Sequence, residues 1–74
     1  MAFESTQRTF NTTGARLERT LTVKTNGGSV TVEASYDTDW VLTDTITKDG
    51  GYVLFQGKAR VRITPISGAE YEYI

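Results

Sequence analysis

Two aspartates and the chain's single tryptophan lie together in Ser35-Tyr36-Asp37-Thr38-Asp39-Trp40. Carboxylates at i and i+2 are how a calcium loop begins, because alternate side chains converge on one hard cation. The glycine and the distant bidentate glutamate that complete such a loop do not follow here. A tryptophan beside an acidic turn is also suited to stacking on a sugar. The third reading is structural: Asp ends a strand by hydrogen-bonding the backbone two residues on. Trp40 then opens the next strand and points inward as the core anchor, an indole burying roughly 150–250 Å². This third reading is the expectation, with calcium binding and sugar stacking as alternatives.

A second chemical group is the basic cluster of Lys58, Arg60 and Arg62. Arg60 and Arg62 share one face of a strand by period-2 alternation. Glu70 and Glu72 are their expected partners across a final hairpin, since opposite charges pair favourably between strands. A salt bridge to a neighbouring subunit is the functional alternative, and phosphate or nucleic-acid contact a further one. Tyr36, Tyr52, Tyr71 and Tyr73 are expected as half-buried sheet residues; a carbohydrate groove is the alternative.

Several chemistries find no residues to carry them. The 74 residues include no cysteine and no histidine. That removes disulfides, thiolate metal sites, the commonest metal ligand and the commonest general base. No nucleophile–base pair can be assembled from the serines present. The expectation is a protein that is not an enzyme and holds no cofactor and no metal. Nine acidic and eight basic residues give a formal charge of −1, which argues against a nucleic-acid partner. No apolar run approaches the roughly 20 residues of a membrane span. The opening MAFESTQRTF lacks the basic-then-apolar order of a secretion signal.

The elements that must position these residues are strands. Threonine, valine, isoleucine and tyrosine are frequent, and β-branched and aromatic side chains suit a pleated surface. In SVTVEASY, Val30, Val32, Ala34 and Tyr36 take one face. Leu17, Leu21 and Val23 do so before it, interrupted by Arg19. Asn26-Gly27-Gly28 between them tolerates positive φ, so residues 15–36 read as a hairpin. In WVLTDTI, Trp40, Leu42 and Ile46 align, with Asp44 as the exception. YVLFQ is apolar on both faces, Tyr52 and Leu54 against Val53 and Phe55, which suggests cover from a neighbouring subunit. RVRITPI alternates with Val61 and Ile63 inward, and Pro65 belongs at a strand end or sheet edge. EYEYI closes the chain.

The fold predicted is all-β: a small antiparallel sandwich or barrel, jelly-roll-like, of six to seven strands over residues 15–74. Residues 1–14 are expected as an extended N-terminal arm that packs Phe3 and Phe10 on another chain. An extra edge strand of the same domain and a disordered tail are the other possibilities. A domain of this size buries only roughly 60% of the surface its unfolded chain exposes. Without disulfides or metals, partners are the expected supplementary support.

Residues 27–73 resemble the small β-sandwich virion proteins of tailed bacteriophages. The features shared are Val30, Thr31 and Ser35 on a strand, Asp37 in a turn, the Trp40-Val41 pair and Gly50. Gly57, the Arg60-Val61-Arg62 and Thr64 strand, and the Ser67-Gly68 turn complete the pattern. The turn before Trp40 is DTD where that family carries D-G. The resemblance implies a structural protein of the virion, made in the host cytoplasm. Its most direct role would be capsid decoration, bridging neighbouring subunits as a homo-oligomer, a trimer or dimer, on the major capsid or another virion protein. Phe3, Phe10, Val53, Phe55, Arg60 and Arg62 are the expected interface residues. A head–tail or tail accessory component and a host-surface or glycan-binding module are the alternatives.

Overall fold

The computed structural model describes residues 3–11, 18–35, 37–55 and 60–74, with the side chains of Glu18 and Phe55 outside that description. Its strands are β1 Arg8–Asn11, β2 Glu18–Lys24, β3 Ser29–Ser35, β4 Val41–Ile46, β5 Gly50–Phe55, β6 Arg60–Ile66 and β7 Glu70–Tyr73. They form two sheets, ordered β1-β6-β3-β4 and β5-β2-β7, with antiparallel pairing throughout. The architecture is the all-β sandwich that the alternation predicts.

The connection between β2 and β3 corrects the expected hairpin. Its turn has hairpin chemistry: Asn26 and Gly27 take φ of 49° and 86°, and Gly28 N donates to Thr25 O at 2.7 Å. Yet β2 pairs with β5 and β7, while β3 pairs with β4 and β6. The chain therefore arches from one sheet to the other. Each strand is apolar on one face only, and an arch turns those two faces toward each other. Leu21 and Val23 of β2 join Val30 and Val32 of β3 in one buried cluster. A flat hairpin would leave the same residues side by side and uncovered.

The arch between β6 and β7 repeats this turn, with Ser67 and Gly68 at φ of 57° and 87°. Because Lys24 pairs with Glu70 and Ser29 with Ile66, the two arches nest. In effect one long two-stranded ribbon is folded in half. A third corner, residues 47–49, carries β4 into β5 at the same end, since Ile46 lies opposite Val30 and Gly50 opposite Val23. The corners are tied together. Thr25 donates to Asp49 Oδ1 through both its backbone N and its Oγ1, each at 2.8 Å, and these bonds hold the Asp49 carboxyl below its ordinary range. Asn26 Nδ2 donates to Gly68 O at 3.1 Å. A Cβ on Gly28 would lie 1.9 Å from the Ile66 carbonyl oxygen, so the nesting requires glycine there.

The N-terminal segment joins the nest. Glu4 and Tyr71 exchange backbone hydrogen bonds of 2.6 and 3.0 Å, and β1 pairs with β6 from Arg8↔Ile63 to Asn11↔Arg60. Residues 8–11 are thus an edge strand of the same domain, and the expected arm is corrected there. Phe10 packs against the core with its ring 4.7 Å from that of Tyr73, so it anchors its own chain. Phe3 is 41% exposed beside Lys24, whose Nζ lies 5.9 Å from its ring centroid. Residues 1–2 and 12–14 of the expected arm lie outside the described residues.

Tyr71, fully buried, is the largest such side chain in the core. Its hydroxyl donates to Thr6 O at 3.0 Å. Burial, followed by the nearby Glu4 charge, pushes its phenol up to about 12 from 10.0. Pro65 lies past the last β1 pair, Arg8↔Ile63, near the end of β6 and opposite Val30 of β3.

Gly28→Ala should destabilise the fold by about 3 kcal/mol, the upper range of overpacking, in chemical denaturation. Gly51→Ala, where nothing lies within 4 Å, should be near neutral by the same measurement. For Tyr71, the raised folded pKa means its contribution is present below pH 10.0 and is lost as pH rises toward about 12. Thermal melting of Tyr71→Phe across that interval should fall less steeply than that of the native chain.

Candidate functional site

The outer face of the four-stranded sheet assembles the two groups that the sequence offers for chemistry. In β6, Val61 and Ile63 are fully buried, so Arg60 and Arg62 project to the other side. In β3 the same phase carries Glu33 and Ser35, directly opposite Arg62 and Arg60. The β3–β4 connection then brings Trp40 over both guanidinium groups. The Arg62 Cζ lies 4.3 Å from the indole centroid and that of Arg60 5.4 Å.

Arg62 forms a two-bond fork with Glu33: Nε to Oε1 at 2.9 Å and Nη2 to Oε2 at 3.1 Å. This pairing holds the Glu33 carboxyl below its ordinary range and raises Arg62. Arg60 is arranged differently. Its Nη2 donates to Ser35 Oγ at 3.4 Å and to the Asp37 carbonyl at 3.3 Å. Ser35 Oγ itself donates to that carbonyl at 3.1 Å, which fixes the start of the loop.

Trp40 is half-buried and does not belong to the core cluster, which corrects its expected role as the inward anchor. Tyr71 occupies that role. The cause is a bulge: β3 pairs Val32 with Asp44 but Glu33 with Leu42, leaving Thr43 extra. Thr43 Oγ1 donates to the Val32 carbonyl at 3.1 Å. Asp44 and Ile46 therefore share a phase, while Leu42 shifts to the outer row beside Glu33 and is 58% exposed. The expected pairing of Arg60 and Arg62 with Glu70 and Glu72 is also corrected. β7 belongs to the other sheet, and Glu70 instead meets Lys24 at 3.8 Å.

The remaining candidates disperse. Asp37 and Asp39 are exposed, and among the described residues no three His, Cys, Asp or Glu side chains could hold a metal ion. Tyr52 donates to Lys48 O at 2.7 Å, while Tyr71 and Tyr73 are buried, so these three line no common groove. Val53 is 55% exposed on the edge strand β5. Lys58, Tyr36 and the Phe55 side chain lie outside the described residues. Glu33, Ser35 and Leu42 escaped the sequence reading as site residues. Glu33 and Ser35 lie on the polar phase of SVTVEAS, and only the pairing of β3 with β6 shows what they meet.

No family model matches this chain, and comparison with curated proteins and with solved structures gives no match.

The arrangement offers an aromatic face, one neutralised guanidinium and one exposed guanidinium, which suits recognition. Glu33→Gln should lose the ionic part of the Arg62 fork. Because the folded pKa of Glu33 is lowered from 4.5, that part is present above pH 4.5 and is lost as pH falls through the folded value. The difference in melting temperature between the native chain and Glu33→Gln should be constant near neutrality and close in acid.

Proposed function

We propose that the protein is a non-enzymatic structural subunit of a bacteriophage virion that binds a neighbouring protein of the particle, most directly the major capsid protein. The carrying observation is the indole that the core does not use, stacked on two arginines and flanked by exposed Leu42. Tryptophan and arginine supply a disproportionate share of binding energy at protein interfaces. The virion setting rests on the resemblance over residues 27–73. Ser35, Asp37, Trp40, Arg60 and Arg62 of this face are among the residues that carry it.

Self-association is the second part of the proposal. The chain exposes 4537 Å², close to the roughly 4,500 Å² expected for a monomer of this size. Total area therefore demands no partner, and the support lies in where apolar residues are placed. Val41 and Leu42 on β4 and Val53 on β5 are all more than half exposed. Among the described strands both lie at a sheet edge, and edges are ready templates for association. With Phe10 committed to its own core, bridging of neighbours falls to this sheet face and these edges.

A glycan-binding role is the second reading, favoured by the partial exposure of Trp40, since a half-exposed indole can stack on a sugar. Co-sedimentation with virion particles lacking the protein separates the two. The native chain should sediment with the particles, and Trp40→Ala, melting normally, should lose about tenfold or more in affinity, a hot-spot effect. Sedimentation of Trp40→Ala equal to that of the native chain would remove the site from the proposal. Absence of native binding, together with saturable binding of a neutral oligosaccharide, would favour the glycan reading.

A further inference from the structure

The two arginines beneath Trp40 differ in their counter-charges. Arg62 is matched by Glu33, donor for acceptor, through both oxygens. Arg60 is exposed, and the oxygens it contacts, a hydroxyl and a backbone carbonyl, are both neutral. Among the described residues its ion pairing is empty: the three salt bridges within 4.0 Å involve Arg8, Lys24 and Arg62. Asp37 meets Arg60 through its main chain and not its carboxylate.

A guanidinium in that state has a planar donor edge suited to two-bond capture of a carboxylate. Apolar surface adjoins it from the half-buried Trp40 ring, and Leu42 lies in the neighbouring outer row that runs Leu42–Glu33–Arg62–Thr9 by register. We propose that this face recognises an acidic segment of a partner protein, in which a carboxylate takes Arg60 and an adjacent apolar side chain covers Trp40 and Leu42. This names the partner chemistry for the assembly role proposed above and rests on it. A nucleic-acid strand fits less well, because one unneutralised arginine on a chain of net charge −1 offers little counterion release.

Trp40 is the single tryptophan, so its emission reports occupancy of this face directly. The probe is a short capped peptide of alternating Glu and Leu, titrated into the full chain. Controls are the Gln/Leu isostere and a sulfated oligosaccharide. A saturable emission change is expected, with Kd on the order of 0.1–1 mM. Binding of the Gln/Leu peptide should be about tenfold weaker, the effect of losing a charge-assisted pair. Arg60→Gln should weaken Glu/Leu binding similarly, with Arg60→Lys intermediate. Because Arg60→Gln also removes contacts to Ser35 and Asp37, salt dependence of the native chain supplies an independent measure: affinity should fall as ionic strength rises. No saturable change, equal binding of the two peptides, salt-independent binding, or a folded Arg60→Gln that binds as the native chain does would overturn the inference. Saturation by the sulfated oligosaccharide alone would overturn it in favour of an acidic glycan. If the native chain sediments with particles yet ignores the acidic peptide, the assembly role stands and this inference falls. Peptide capture without particle association gives the reverse.

Discussion

The structure depends on one constraint at the folded end of the ribbon, where two backbones cross from sheet to sheet in contact. Strands with one apolar face must bury it, and among the described residues there is no helix layer to cover a flat sheet. Folding the β2–β3 and β6–β7 segments over each other supplies both halves of the sandwich from the same ribbon. That solution requires the Gly28 backbone to meet the Ile66 carbonyl with no side chain between them. Asp49 and Asn26 then satisfy corner N–H and C=O groups that would otherwise depend on solvent. The core of Leu21, Val30, Val32, Val61, Ile63 and Tyr71 follows from this geometry.

The two sides of the four-stranded sheet divide the labour. The inner side is apolar, with Val30, Val32, Val61, Ile63 and Phe10 packed in one core with Tyr71 of the other sheet. The outer side is polar and cross-linked, with Gln7 donating to Thr64, Arg62 to Glu33 and Arg60 to Ser35. The edges are partly guarded. β4 carries a bulge at Thr43 and places Asp44 opposite buried Val32, devices that discourage sheet extension. The guard does not reach Val41 and Leu42, which remain exposed next to Trp40.

Much of the fold was legible from local alternation, because burial on one face leaves a period-2 imprint that needs no partner to be read. Val30, Val32, Ala34, Val61 and Ile63 fall where that imprint predicts. Partner choice left no such imprint. The turn Asn26-Gly27-Gly28 has the same residues and dihedral signs whether its strands pair with each other or separate into two sheets. Trp40 was misread because a single bulge reverses phase along β4. Phe10 was misread because a four-residue edge strand is too short to display alternation. Within the site, the charges of Arg60 and Arg62 were evident. Their pairing with Glu33 and Ser35 was hidden, since it depends on strands far apart in sequence.

The sheet-crossing corners also set how the chain must find its structure. Among the described strands only β3 and β4 are both consecutive and hydrogen-bonded to each other. Arg8 waits for Ile63, and Leu21 for Tyr73. Closing such wide loops comes before the reward of pairing, so acquisition of the native state belongs to the slow, roughly millisecond-to-second regime of non-local β topologies. The β3–β4 hairpin is the natural seed, and it gathers Glu33, Ser35, Trp40 and Leu42 before Arg60 and Arg62 arrive on β6.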